Sequence, residues 1–128
     1  MPLTRLDRLL IDLEYLYAVR VLAWSHDDAN RPADVGIFLD VPIVAHAQEI
    51  THIDGAGALT AWNSIISAKR LVVAGSIAFD LSKVCMVNVS EDHSAGSIIF
   101  RLGDHRGATI PLDKISAGSI LNAISAAR

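Results

Sequence analysis

The sequence predicts an α+β fold: an N-terminal amphipathic helix, an antiparallel sheet built as a meander, and a C-terminal helix, with a partly open barrel as an alternative form of the sheet. Three observations predict it. Leucines recur at helical spacing in the first 17 residues, four short segments of strand character fill residues 70–112, and residues 115–126 have helical spacing again. The 128 residues are about one domain's worth, so we expect a single domain over the whole chain.

The N-terminal segment has apolar residues three and four positions apart, the period of a helix with one buried face. They are Leu6, Leu9, Leu10, Leu13, Leu16 and Tyr17. Thr4 is a suitable N-cap, and Asp7 and Asp12 would lie near the positive end of the helix dipole. Residues 18–24 fit either a continuation of this helix or a strand, and we favour the helix.

The stretch from 70 to 112 is rich in β-branched residues and in turn residues. It predicts strands at 71–79, 84–90, 97–102 and 108–112, and Gly75 marks either a bulge or a turn between two shorter strands. Pro111 cannot donate a ladder hydrogen bond, so the last strand should lie at an edge. Because the loops are short, we expect one antiparallel meander whose turns at 91–96 and 103–107 lie at opposite ends.

The remaining segments give weaker signals. Residues 26–34 form a clear loop, 35–45 a buried strand and 48–54 a further strand. Residues 58–69 fit either a helix or a strand, with a slight preference for the helix, and 115–126 predict a helix. No internal repeat is apparent.

Composition excludes several classes of function. The net charge is −3 and the eleven Lys and Arg residues are scattered, so the footprint of a nucleic-acid-binding protein is missing. No apolar run reaches the roughly 18 residues of a membrane span. The charged N-terminus does not resemble a signal peptide. Cys85, the one cysteine, lies within a predicted strand and should be buried and inert. We expect a soluble cytoplasmic protein without a cofactor or a metal.

Histidine and aspartate occur together in three predicted loops, at His26, His93 and His105. Such a pair can act in acid–base catalysis, because imidazole titrates near neutral pH and a neighbouring carboxylate fixes its tautomer. The alternative is that both residue types are simply well tolerated in turns. Since consecutive meander turns lie at opposite ends of a sheet, the turns at 91–96 and 103–107 cannot share a site, and we favour the second interpretation.

We therefore expect a non-enzymatic protein-binding module, an adaptor or a small inhibitor that covers the surface of a partner protein. Acidic residues in the turns would meet a basic surface of that partner. They are Asp27, Asp28, Glu91, Asp92 and Asp104. The leucine face of the N-terminal helix offers a route to a homodimer. The alternatives are a small enzyme that uses a loop His/Asp pair and a small-molecule sensor with its pocket between sheet and helix.

Overall fold

A computed structural model describes residues 3–40 and 51–127, so the predicted strand residues 41–45 and 48–50 lie outside the described residues. The described part contains ten strands and two helices, which confirms the α+β class. The strands are β1 (Thr4–Leu6), β2 (Leu9–Ile11), β3 (Leu16–Trp24), β4 (Pro32–Leu39), β5 (Thr51–Asp54), β6 (Val72–Ala74), β7 (Ile77–Phe79), β8 (Val84–Val89), β9 (Gly96–Arg101) and β10 (Gly107–Leu112); the helices are α1 (Ala56–Ala68) and α2 (Lys114–Ala127). No helix within these residues is long and apolar enough to cross a membrane.

All strand pairs are antiparallel and they form three sheets. The β1–β2 hairpin stands alone, β8, β9 and β10 form a three-stranded sheet, and the largest sheet has the order β5-β4-β3-β7-β6. The five-stranded sheet contributes to two apolar clusters, one that it shares with the three-stranded sheet and one that it shares with α1. Tyr17 and Phe38 lie in the first cluster with Phe100. Val19 and Ile37 lie in the second.

The predicted N-terminal helix is wrong, because the first α-helix begins at residue 56. Two three-residue strands and their tight turn produce the same spacing of leucines, since Leu6 pairs with Leu9 across the hairpin. Asp7, at the turn, has φ 57°, which a helix cannot accommodate. A homodimer through a leucine face of an N-terminal helix is therefore wrong as well.

Residues 18–24 also differ from the prediction, since they belong to β3. Val19 and Val21 are both buried in the cluster that faces α1. Strand pairing on both sides of β3 overrides any helical preference of this segment. The predicted helices at 58–69 and 115–126 are confirmed by α1 and α2, and the predicted strand at 48–54 is confirmed over its described residues 51–54.

The four-stranded meander is confirmed only for its last three strands. The predicted first strand divides at Gly75 into β6 and β7, and β7 pairs with β3 rather than with β8. Asp80 caps a 3-10 turn over 81–83, and its side chain accepts the Ser82 N–H at 3.0 Å. This turn carries the chain from one sheet to another. Pro111 lies in the edge strand β10, as predicted.

The structure reveals an internal repeat that the sequence analysis missed. Thr4 pairs with Ile11 in the first hairpin, and Val72 pairs with Phe79 in the second, each residue 68 positions further along. In each half the hairpin leads through an Asp-capped 3-10 turn into three antiparallel strands and a helix. We call residues 4–68 the first repeat and 72–127 the second. Residues 68 positions apart in the hairpin or in the strand that follows it are called counterparts.

Each hairpin turn packs on the first turn of the helix in its own repeat, and a glycine lies at both contacts. In the second repeat Gly75 is in the turn, with φ 60°, and faces Ser116 of α2. In the first repeat the turn residue is Asp7, and the glycine is Gly57 of α1, where an added Cβ would lie 3.1 Å from the Asp7 Cγ. The turn and the helix therefore approach closely in both repeats, but the glycine lies in the helix in the first repeat and in the turn in the second.

Candidate functional site

The five acidic residues predicted to bind a partner lie in three separate turns. Asp27 and Asp28 are in the loop between β3 and β4, Glu91 and Asp92 are in the turn between β8 and β9, and Asp104 follows β9. The last two turns lie at opposite ends of the three-stranded sheet, as the sequence predicts. The structure therefore does not gather these residues into one patch.

Two of the carboxylates already stabilise their own turns. Asp28 Oδ1 accepts the Asn30 N–H at 2.9 Å. Asp92 Oδ1 accepts the hydroxyls of Ser94 and Ser90 at 2.7 and 2.8 Å. These hydrogen bonds, with that from Ser94 the largest cause, lower the pKa of Asp92 below its ordinary value. Binding of a partner by these residues remains a prediction.

The histidines occupy turn positions where their backbone explains their presence. His93 and His105 have φ 58° and 57°, and Asp104, beside His105, has φ 58°. His and Asp enter this left-handed region more readily than most residues. His26 is exposed in the loop between β3 and β4. In the chain outside 41–50 and its extreme ends, no three His, Cys, Asp or Glu side chains group into a metal site.

Asp40 joins two loops at one end of the molecule. Its carboxylate accepts hydrogen bonds from the Arg106 guanidinium at 2.5 Å and from the Gly103 N–H at 3.1 Å, and the Lys83 ammonium lies 3.5 Å away. Burial, with the Asp40 charge as a second cause, raises the pKa of Tyr17 to about 12. Tyr17 therefore keeps its proton at neutral pH, which does not suit a base or a nucleophile.

A second polar cluster anchors the β6–β7 turn to α2. Ser76 and Ser116 are both buried, and their hydroxyl oxygens are 3.1 Å apart. The Ser76 hydroxyl donates to Asp113 at 2.5 Å, and the Ser116 N–H donates to the other oxygen of that carboxylate at 2.8 Å. Asp113 thus caps α2. Burial of both hydroxyls favours a structural role over nucleophilic chemistry.

We expect Asp113→Asn to lower the free energy of unfolding at pH 7 by about 1 kcal/mol, since the cap and the Ser76 bond weaken. Burial raises the pKa of Asp113, but hydrogen bonds from Ser76 and Ser116 and the Arg20 charge outweigh it, so the pKa falls below its ordinary value. The carboxylate's contribution is therefore complete above about pH 4, its unfolded-state pKa, and is lost as the pH falls through the lower folded-state value. Urea unfolding at pH 7 and at pH 3 should show the variant's deficit shrinking in acid. An equal deficit at both values would contradict this assignment.

Two clefts open on the described surface. One, of about 460 Å³, lies between the β3–β4 loop and the start of α1, and its lining includes Ser25, Arg31 and Leu59. The other, of about 380 Å³, lies beside β6 and the end of α2, with Asp80 and Leu81 in its wall. The first lies between sheet and helix, where a sensor pocket was predicted, and a ligand there stays a prediction.

The strongest candidate site is the free edge of β8. This strand pairs with β9 on one side, and no described strand pairs with it on the other. Its sequence, VCMVNV, contains no charge and no proline. Met86 is 50% exposed, and Cys85 is exposed rather than buried as the sequence predicts. An apolar, uncharged edge of this kind presents unpaired backbone groups to another strand.

The counterpart of β8 shows what such an edge binds in this fold. Ala18 and Val19 of β3 are fully buried, whereas Met86, the counterpart of Ala18, is half exposed. Ala18 lies in the cluster shared with the three-stranded sheet, and β7 of the second hairpin pairs with β3, with Phe79 opposite Ala18. The corresponding strand of the first hairpin, β2, does not pair with β8 in the described structure.

The sequence analysis did not identify β8 as a site, because a run of apolar residues at strand period predicts burial. A signal was nevertheless present. The segments 11–13 (IDL) and 79–81 (FDL) are 68 residues apart, and each stands just before a strand. Recognising that repeat would have pointed to a hairpin at the start of each half and to β8 as the counterpart of β3.

Comparisons with known proteins add no family. No protein-family model matches the chain, and no curated protein and no solved structure gives a significant match.

Proposed function

We propose that this protein is a non-enzymatic binding module that captures an extended segment of a partner protein along the free edge of β8. The observation that carries the proposal is the contrast between β8 and β3: the same position in the repeat is paired and buried in one half and open in the other. In β-strand addition, backbone hydrogen bonds supply affinity and alternate side chains supply specificity.

The chemistry of the edge indicates the kind of segment that fits. On β3 the bound strand is β7, whose three residues are apolar and buried. A strand that covers Met86 should therefore also carry apolar side chains. Glu91 and Asp92 follow directly after β8 and are exposed. They favour a segment with a basic residue at that end, in keeping with the basic partner surface that the acidic turns suggest.

We expect Met86→Lys to abolish binding while leaving the free energy of unfolding within about 0.5 kcal/mol, because the side chain is half exposed. The added charge on the edge would oppose strand pairing. The matched control is Thr109→Lys, also exposed but on the opposite edge strand β10. The candidate partner is a protein that binds to immobilised wild type and to immobilised Thr109→Lys but not to Met86→Lys. It should be purified, and the complex should then be formed again from the two purified proteins.

Hydrogen exchange of the rebuilt complex identifies the residues that form the binding site. Slower exchange is expected for those amides of Val84–Val89 that do not already bond to β9, since an added strand protects the N–H groups on the edge that it covers. Protection confined to the acidic turns, together with lost binding when the five acidic residues are replaced by alanine, would contradict the edge proposal. It would support the acidic-surface interpretation instead.

A further inference from the structure

We infer that the partner strand at β8 is β2 of a second copy of this chain, so that each copy pairs the outer edge of its N-terminal hairpin with β8 of the other copy in a symmetric dimer. This inference rests on the proposed binding edge and names its occupant. Within the chain β3 already pairs with β7. The counterparts of these two strands, β8 and β2, could form a second contact of the same kind. Among the described residues, no strand pairs with the outer edge of β2 or with the edge of β8 away from β9.

The internal contact gives the register of the proposed one. Ala18, Val19 and Arg20 pair with Phe79, Ala78 and Ile77 in the structure. Their counterparts place Met86 opposite Ile11, Val87 opposite Leu10 and Asn88 opposite Leu9.

Exposure at the two edges agrees with this register. Leu10 is 60% exposed and Met86 is 50% exposed, while their counterparts Ala78 and Ala18 are fully buried. In this register Met86 lies opposite Ile11 and Leu10 opposite Val87, so each exposed side chain gains an apolar neighbour across the strands, and such pairs stabilise a sheet. Two exposed patches on one chain that fit each other are what a closed two-fold dimer requires.

Charge is complementary at the end of the same register. Continuing from Leu9 opposite Asn88, the next residue of the hairpin is Arg8, which comes beside Val89 and near Glu91 of the other copy. Arg8 and Glu91 are both exposed in the single chain. The second copy thus brings a basic residue to the acidic turn that follows β8.

The hairpin does not have to leave its own repeat to make this contact. Leu6 and Ile11 are buried in the cluster that contains α1, with 1% and 4% exposure. Hence the hairpin is held in place while no described strand pairs with its outer edge. A rigid, pre-formed strand loses little conformational freedom on pairing, which favours association.

The first test is the mass of the purified protein in solution over about a hundredfold range of concentration, measured by light scattering after gel filtration. The expected result is a particle of about twice the 13.7 kDa chain mass that dissociates on dilution. Leu10→Lys and Met86→Lys should each give the single chain, and Thr109→Lys should stay dimeric. A wild type that remains a single chain at every concentration would overturn the inference but not the binding edge, which the rebuilt heterologous complex tests separately.

Cross-linking distinguishes pairing of β2 with β8 of a second copy from pairing of β2 with β8 of the same chain. Two proteins are made in a Cys85→Ser background, one with Leu10→Cys and one with Val87→Cys, and they are mixed with a short bismaleimide. A covalent product that contains one chain of each kind is expected, because the two positions face each other across the interface. If the mixture gives no product and a chain with both substitutions cross-links only internally, then β2 closes on its own β8 and the inference fails.

Reversing the charges of Arg8 and Glu91 tests the orientation of β2 relative to β8. Arg8→Glu and Glu91→Lys should each weaken the dimer by about two- to fivefold, the effect of an exposed ion pair, and the double variant should recover the lost affinity. Equal losses that add in the double variant would exclude the proposed register.

Discussion

Gly75→Ala should lower the free energy of unfolding by about 3 kcal/mol or more, because two costs combine. An added Cβ would lie 2.7 Å from the Ser116 Oγ, 2.8 Å from its N and 2.9 Å from its Cα. Two of these atoms are backbone of α2 and cannot move aside without shifting the helix. In addition φ is 60°, a region that L-residues enter at a cost.

Gly55→Ala is the matched control. Gly55 has φ 64°, close to that of Gly75, but an added Cβ there meets nothing within 4 Å. Its φ of 64° and ψ of −146° fall in a region almost restricted to glycine, so the substitution should cost only a backbone term of about 1–3 kcal/mol. Chemical denaturation of both variants would show whether Gly75→Ala costs more than a backbone change made without a clash. Equal losses in the two variants would mean that the contact between Gly75 and Ser116 is loose.

The sequence predicted the second repeat better than the first because its turns carry stronger signals. Gly75 and Pro111 mark a turn and an edge strand, and both were found. In the first repeat the corresponding hairpin turn is Asp7–Arg8, which lacks a glycine, and its strands contain leucine rather than β-branched residues. Leucine favours helices, so local preference and the spacing of three and four agreed on the wrong element. The pairing of the hairpin is itself local, and the contact between distant segments that favours it is the burial of Leu6 and Ile11 in the cluster with α1.

The candidate site escaped prediction for a related reason. Whether a strand edge is covered depends on segments distant in the chain: β7 of the second hairpin covers β3, whereas no described strand pairs with β8 on the side away from β9. Burial is a tertiary property, and the period of a strand says which residues share a face but not whether anything packs on that face. The turns, by contrast, follow from local chemistry, and His93 and Asp104 lie where their tolerance of positive φ allows.

Phe100→Ala should give the other large loss, about 4 kcal/mol, since it opens a cavity where the two larger sheets meet. The Phe100 ring centroid lies 4.9 Å from that of Tyr17 and 6.4 Å from that of Phe79. Tyr17 is in the first repeat, and Phe79 and Phe100 are in the second. Arg101→Ala, an exposed change at the next residue of β9, is the control and should stay within about 0.5 kcal/mol.

The positions of the tryptophans make this variant a test of whether the chain is one cooperative domain. Trp24 and Trp62 both belong to the first repeat, whereas residue 100 is in the second. If the ring cluster joins the repeats into one unit, tryptophan fluorescence and far-ultraviolet circular dichroism will move to the same lower midpoint of urea unfolding. An unchanged fluorescence midpoint beside an early partial loss of dichroism would mean that the second repeat unfolds alone. In that case the repeats would be two domains, and the pairing of β3 with β7 would be an interface between them rather than part of one core.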